Sequence, residues 1–239
     1  MLTPKIELKP MRKLFTVPDE QPAKKGNGKD EAKARAEDRN TGTQTKVARS
    51  MSRNFERRVK SELFLEDSLP WHFKPGEAYH CFSFGDVDAL TYLRAILKQQ
   101  PLEYVCLSTF SMALTDAELL LKWQRSGLIG RLDLYLGEIF DSKFAEVYNT
   151  LREAVALMGG RVAVFRNHSK VMAGFGERFD FSVEGSANLN SNPRCEQTVI
   201  TLDTGVARFY KEDVFDNIHS FNNDFPDWKP YKLKRDEII

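Results

Sequence analysis

The strongest constraint on the fold is a regular alternation of short apolar strands and amphipathic helices between residues 80 and 165. The pattern predicts strands at 80–84, 104–110, 131–136 and 161–165, and helices at 87–97, 116–124 and 144–158. Asp86 and Thr115 are the predicted N-caps of the first two helices. Strands that alternate with helices of this length favour a parallel sheet covered by helices.

The pattern changes after residue 165. Segments 170–175 and 179–184 flank a glycine-bearing turn and predict an antiparallel hairpin, followed by a strand at 195–202 and a helix at 206–218. The fold class expected from both halves is α/β: a sandwich with a mixed, largely parallel sheet, flanked by helices on both faces.

Charge and composition divide the chain into three predicted parts. Residues 1–65 form a basic, partly disordered region, 70–222 the compact domain, and 223–239 a C-terminal tail. Residues 1–60 hold 16 Lys and Arg against 8 Asp and Glu, or +8, whereas the remainder carries −7. A basic arm on an acidic body is typical of nucleic-acid binding, although a solvated terminus has the same composition.

A helix is predicted at 47–65, at the end of the basic region. Its apolar residues recur at four-residue intervals: Val47, Met51, Phe55, Val59 and Leu63. The predicted substrate-binding residues lie on its basic face: Arg49, Arg53, Arg57 and Arg58. This face is suited to a phosphate backbone, and the apolar stripe to the main domain or a second subunit.

Several classes of protein are disfavoured by composition. The three cysteines are widely spaced and form no CxxC pair, which argues against a disulfide framework and a zinc site. No apolar run approaches the roughly 18 residues that span a bilayer. The N-terminus lacks the apolar core of a signal peptide. We therefore expect a cytoplasmic protein that requires no membrane and no cofactor or metal.

The residues most informative about chemistry lie between 168 and 196. His168 and Lys170 are two positions apart, as are Ser186 and Asn188, so each pair shares a face if its segment is extended. With Glu196 they supply a nucleophile, a cation, small hydrogen-bond donors and a carboxylate. These groups can hold and attack a phosphodiester without a metal.

This part of the chain resembles the phospholipase D superfamily, whose HKD signature is His-x-Lys, an acid, then Gly-Ser-x-x-Asn. The match is His168, Lys170, Gly185 and Ser186, with Asn188 or Asn190 as the final Asn. Two features depart from the family: Phe175 stands where it has Asp, and the Lys-to-Gly interval is three residues longer. The resemblance covers about residues 75–220 and implies a phospholipase D-like α/β sandwich.

The resemblance also implies a mechanism through a phosphohistidine. One imidazole attacks phosphorus, and a second protonates the leaving oxygen and then activates water. His168 is then the nucleophile or the acid, and Lys170 the phosphate clamp, while Ser186 and Asn188 bind phosphate oxygens. Glu177, Asp180 and Glu196 are the candidate acids to orient the imidazole.

The mechanism needs two imidazoles, but the chain has one complete motif. A second His-x-Lys at His72 and Lys74 runs into Pro75-Gly76, which would break a strand, and no Gly-Ser-x-Asn segment is assigned to it. His219 falls at the C-terminal end of the predicted helix 206–218, where a surface or C-cap position is expected. We therefore predict a homodimer in which a twofold axis brings two copies of His168 into one cleft.

Three functions follow from these patterns. The first is a metal-independent phosphodiesterase, a nuclease for DNA or RNA that resembles the short, single-motif superfamily members of bacteria, phage and mobile elements. The second is a catalytically inactive nucleic-acid-binding protein on the same fold, which the absent motif Asp favours. The third is a phospholipid-processing enzyme, which has the least support.

Overall fold

The computed structural model describes residues 53–70, 72–190, 194–222 and 227–237, with side chains from residue 60 onward except that of residue 66. The strands are β1 (Ala78–Ser83), β2 (Leu102–Thr109), β3 (Ile129–Gly137), β4 (Arg161–Phe165), β5 (Val171–Gly176), β6 (Phe181–Gly185) and β7 (Glu196–Thr201). The α-helices are α1 (Arg53–Ser68), α2 (Ala89–Leu97), α3 (Leu114–Arg125), α4 (Ala145–Leu157) and α5 (Thr204–Arg208). A π-helical turn, Phe209–Val214, and 3-10 turns at Phe215–Asn217 and Lys234–Asp236 follow α5.

The described strands form one seven-stranded mixed sheet in the order β1-β7-β6-β5-β2-β3-β4. Strands β2, β3 and β4 pair in parallel, whereas the pairs β2–β5, β5–β6, β6–β7 and β1–β7 are antiparallel. The prediction of an α/β fold with a mixed sheet is confirmed. Its description as largely parallel holds for strand direction, since five of the seven strands point the same way, but most neighbouring pairs are antiparallel.

Helices cover both faces of the sheet, as predicted. On one face, α2, α3 and α4 bury Leu93, Leu120 and Leu151 against alternate residues of the strands. On the other face, Ala207 of α5 and Phe215 lie over Tyr104 of β2 and Tyr135 of β3. The two clusters arise because successive side chains of a strand point to opposite faces.

The C-terminal segment packs on the second face. Leu233 is buried there, and the Trp228 indole N–H donates to the Asp133 carboxylate at 3.1 Å. Asp133 also accepts from the Tyr104 hydroxyl and from the backbone N–H of Arg161. The residues that we predicted as a tail after 222 therefore contribute to the core where they are described.

Helix α1 ends at Ser68, three residues after the predicted end of the 47–65 helix, and residues 47–52 of that prediction lie outside the described residues. Leu63, the last residue of the predicted apolar stripe, is 57% exposed, whereas Ser61 and Leu65 are buried. The side chains of the other stripe residues lie outside the described part of the chain. Leu65 packs in the core of the first face, so the helix belongs to the folded body on this side.

Both predicted N-caps were wrong. Helix α2 has Asp88 at its N-cap, and Asp86 instead accepts a hydrogen bond from the backbone N–H of Phe84 at 3.0 Å. Helix α3 begins one residue before Thr115 and has Ala113 as its N-cap. Within the described residues, no helix has both the length and the apolar character needed to cross a membrane.

Candidate active site

The predicted catalytic residues lie at one edge of the sheet. Strands β1, β2, β3, β4 and β6 end at this edge, and β5 and β7 begin there; we call it the carboxyl edge. The pairings Ser108↔Val171, Val171↔Glu184 and Ser83↔Glu196 fix this alignment. Ligands of open α/β sheets bind beyond such strand ends, where loops leave room for a site.

His168 and Lys170 lie in the connection between β4 and β5, outside any strand. The Lys170 ammonium nitrogen is nevertheless 3.0 Å from Nδ1 of His168, and it also donates to the backbone carbonyl of His168. The two side chains thus share one side of the connection, although the predicted strand does not exist there. His168 is exposed and its ring contacts that of Phe110, with the centroids 4.9 Å apart.

Asn167 holds this connection in place. Its side chain is buried, accepts from the N–H and hydroxyl of Ser169 at 2.8 and 2.6 Å, and donates to the carbonyl of Tyr135 at 2.9 Å. The Ser169 hydroxyl is also 2.8 Å from that of Ser108 on β2. Sequence reasoning missed Asn167, since an Asn before the motif carries no signal until its partner Tyr135 on β3 is known.

Ser186 and Glu196 form the second half of the site. Ser186 follows β6, and its hydroxyl donates to the Glu196 carboxylate and accepts from the N–H of Gln197 at 3.0 Å. The two halves adjoin, because the N–H of Gly185 donates to the carbonyl of Lys170 at 3.1 Å. A cation, a hydroxyl and a carboxylate are thereby grouped beside His168.

Asn188 contacts the end of β2. Its side-chain oxygen accepts from the backbone N–H of Phe110 at 3.3 Å and lies 3.5 Å from the Thr109 hydroxyl. Phe110 therefore touches both Asn188 and the His168 ring. Asn190, the alternative final Asn of the motif, donates instead to the Ser111 hydroxyl at 3.1 Å.

Partial burial lowers the pKa of Lys170 from its ordinary value, and the nearby Glu196 carboxylate offsets part of this shift. A carboxylate near the ammonium favours its charged form. The site therefore holds a cation that burial alone would make easier to deprotonate.

The three candidate acids lie at different edges of the sheet. Glu177 and Asp180 belong to the β5–β6 turn, which lies at the opposite edge of the sheet from His168. Six residues of β5 separate the two edges, or about 20 Å at a strand rise of about 3.3 Å per residue. Asp180 is buried and forms an ion pair with Arg235 there. Of the three, Glu196 alone lies at the carboxyl edge.

Phe175, at the position of the family's motif acid, is fully buried in the second face. Its ring lies 6.1 Å from that of Tyr104, centroid to centroid. A carboxylate at this position would point into an apolar core.

The other three histidines lie away from His168. His72 and Lys74 precede β1, at the edge opposite the carboxyl edge. His80 is on β1, one edge strand, and His219 lies beside β4, the other edge strand. Among the described residues, no three His, Cys, Asp or Glu side chains cluster as ligands for a metal ion.

The predicted substrate-binding arginines are described only in part. Arg53, Arg57 and Arg58 lie in α1, whereas Arg49 falls outside the described residues. Their contact with a phosphate backbone stays a prediction.

No family model and no curated protein matches the chain. Among solved structures, 55% of the chain is similar to 24% of a polyphosphate kinase chain from Porphyromonas gingivalis, with 12% identity and a TM-score of 0.43. Similarly, 57% of the chain matches 37% of a phosphatidylserine synthase chain from Haemophilus influenzae Rd KW20, with 16% identity and a TM-score of 0.42. The matched region thus spans about a quarter and somewhat over a third of those proteins.

Proposed function

We propose that this protein is a metal-independent phosphodiesterase, a nuclease that cleaves DNA or RNA through a phosphohistidine in a dimeric site. The observation that carries the proposal is the grouping of His168, Lys170, Ser186 and Glu196 at one edge of the sheet. Residues from two separate segments meet there, joined by the hydrogen bond from Gly185 to Lys170. Phosphoryl transfer needs this combination of nucleophile, cation and hydrogen-bond donors.

In the proposed first step, a nitrogen of His168 attacks phosphorus and forms a P–N bond while the P–O bond to the leaving group breaks. The leaving oxygen takes a proton from a second imidazole. That imidazole then removes a proton from water, whose oxygen attacks phosphorus and releases His168. Lys170 and the amide of Asn188 bind the non-bridging oxygens, where negative charge accumulates.

The contact between Lys170 and His168 affects which ring nitrogen of His168 carries the proton, and so whether the ring can act as nucleophile or as acid. A lysine ammonium has donors only, so in this arrangement Nδ1 of His168 accepts and the neutral ring keeps its proton on Nε2. The proton donor of the reaction is instead the imidazolium, which carries a proton on each ring nitrogen and forms when Lys170 leaves Nδ1 and a proton binds there. The nucleophile needs a lone pair on Nε2, which becomes available when Lys170 turns from Nδ1 toward the phosphate and Nδ1 takes up the proton.

Two identical copies can supply both forms of the ring. Strand β5, which His168 precedes, is the fourth of the seven strands, so the site lies at the centre of the carboxyl edge. A twofold axis passing there would bring two His168 rings together and leave equal lengths of edge on either side. The exposed His168 ring is compatible with such an arrangement.

A nucleic-acid-binding protein without catalysis is the second candidate. Burial of Phe175 favours it, because the position of the motif acid is sealed in the core and Glu196 must serve alone. Under this alternative the basic residues of 1–60 still bind phosphates, and His168 has no turnover to support.

The deciding experiment is hydrolysis of a small chromogenic phosphodiester and of circular single-stranded DNA in excess EDTA. We expect the parent to cleave both substrates and the His168→Ala variant to be slower by at least about a thousandfold. His219 is an exposed histidine away from the site, so the matched control His219→Ala should cleave at the parental rate. No cleavage by the parent, with DNA still retarded on a gel, would select the binding protein instead.

Mixing tests the shared site. After subunit exchange between the parent and His168→Ala, activity should fall with the square of the parental fraction, because each site needs two intact copies. A linear fall would show that one chain suffices.

A further inference from the structure

Two phenylalanines at the end of β1 are unusually exposed. Phe82 is 62% and Phe84 75% exposed, and their rings form an edge-to-face pair with centroids 5.4 Å apart. Large aromatic side chains normally bury most of their surface, since burial is what stabilises them in a fold. An exposed aromatic pair therefore indicates a binding role.

The pair is held in a defined position. Ser83, which lies between the two phenylalanines in sequence, is buried, and it pairs with Glu196 across the β1–β7 ladder. Beyond Phe84 the chain turns at Gly85, which has a φ of 86°, and the Asp86 carboxylate accepts from the N–H of Phe84. Both rings thus project from a fixed backbone at the carboxyl edge.

This edge connects the pair with the proposed site. Ser83 lies beside Glu196, and Glu196 in turn contacts Ser186 and acts on the charge of Lys170. Three strand spacings separate β1 from β5, or about 14 Å at about 4.8 Å per spacing. Phe82 and Phe84 alternate with Ser83 along the chain, so they project from the face of the sheet opposite to that of Glu196. A strand of nucleic acid with a phosphate at His168 therefore reaches the pair by crossing the carboxyl edge.

We propose that Phe82 and Phe84 are a stacking subsite for an unpaired nucleobase, which makes single-stranded nucleic acid the substrate of the site. The inference rests on the proposed function and names its substrate class. Aromatic side chains bind bases of unpaired strands by stacking on their faces, and they do so with little dependence on sequence. Bases paired in a duplex are stacked on each other and offer no free face to these rings.

A second copy of the chain fits the pair less well. The two rings expose 62% and 75% of their surface, which at about 200 Å² per ring offers about 270 Å². A stable protein interface buries about 800 Å² per partner. The neighbouring Gly85 and Asp86 add no apolar surface, so the patch has the size of one or two bases.

A binding assay in a catalytically disabled variant tests the stacking subsite independently of hydrolysis. In the full-length His168→Ala protein with EDTA, fluorescence anisotropy would measure affinity for oligothymidylate, oligouridylate, a duplex and an abasic oligomer of equal length. Adding Phe82→Leu and Phe84→Leu should weaken binding of both single-stranded oligomers about tenfold or more, and leave the abasic oligomer unaffected. The Tyr variants at both positions should restore the affinity. Phe209→Leu, an exposed ring that also packs edge to face on a neighbour, is the matched control and should change nothing.

Three results would overturn the inference: parental affinity in the Leu variants, equal loss on the abasic oligomer, or tighter binding of the duplex than of the single strands. A change in oligomeric state by sedimentation without base-dependent loss would assign the pair to a second copy. The small phosphodiester assay stands apart, so a base-dependent subsite without hydrolysis would refute the nuclease and keep the subsite.

Discussion

Asn167→Ala should damage both the stability of the protein and the chemistry of the site. The side chain makes three hydrogen bonds of 2.6 to 2.9 Å, to both donors of Ser169 and to the carbonyl of Tyr135. At about 1 kcal/mol each, their loss should lower the free energy of unfolding by about 3 kcal/mol. Because Asn167 adjoins His168, the imidazole should also lose its position. A displacement of about 1 Å costs on the order of a hundredfold in rate.

Urea unfolding, followed by circular dichroism, measures the first effect, and hydrolysis of the small phosphodiester well below the melting temperature measures the second. Asn222→Ala is the matched control. Asn222 donates to the Tyr148 hydroxyl at 2.7 Å and to the carbonyl of Val162 at 3.1 Å, beside β4 and away from the site. The Asn222→Ala variant should lose a similar amount of free energy of unfolding and hydrolyse the phosphodiester at the parental rate. Equal rates in the two variants would refute the positioning role of Asn167.

Three further predictions concern charge and burial. Glu196→Gln removes the carboxylate that raises the pKa of Lys170, so Lys170 should lose its proton at a lower pH than in the parent. As the pH is raised, the variant should therefore lose phosphate binding before the parent does; an unchanged alkaline limb in a binding titration would contradict this. Phe175→Asp restores the motif acid in sequence but places it in the core, and should destabilise the fold by about 3 kcal/mol or more without raising activity; a folded, more active variant in melting and rate assays would refute the assignment. Trp228→Phe deprives buried Asp133 of one donor, and should cost about 1–3 kcal/mol in urea unfolding; parental stability would show that the C-terminal segment contributes little.

The elements of the sheet could be located from local pattern. The predicted strand 161–165 coincides with β4, and the other strands and long helices were found within a few residues of their bounds. Periods of two and 3.6 residues and the turns between them are local properties, so the sequence alone determines them. The N-caps were predicted less well. Asp86 was chosen because Asp is a common N-cap residue before an apolar helical pattern, but its carboxylate accepts from the backbone N–H of Phe84 instead.

The phase of helix α1 shows where local pattern fails. A four-residue repeat predicted Leu63 on the buried stripe, but the helix buries Ser61 and Leu65 instead. Several faces of a short helix can carry apolar residues, and the surface that it meets decides which face is buried. That surface includes α2, where Arg94 forms an ion pair with Glu62.

The choice of the acid was also beyond the sequence. Glu177, Asp180 and Glu196 are all near the motif along the chain, and the first two are nearer to Lys170. Because β5 runs away from the site, the nearer two acids are carried to the far edge. Strand β6 then returns the chain to the carboxyl edge, where β7 begins at Glu196.

The sequence by itself determined the chemistry available to this protein: an imidazole, a lysine, a serine and a carboxylate in two short segments. The tertiary structure alone decided which of these meet, because strand order and direction set the edge at which each segment ends. It also fixed Asn167, next to His168, on the carbonyl of Tyr135, and it left Phe82 and Phe84 exposed at the carboxyl edge. Contacts between residues distant in sequence depend on sheet pairing, which no local pattern encodes.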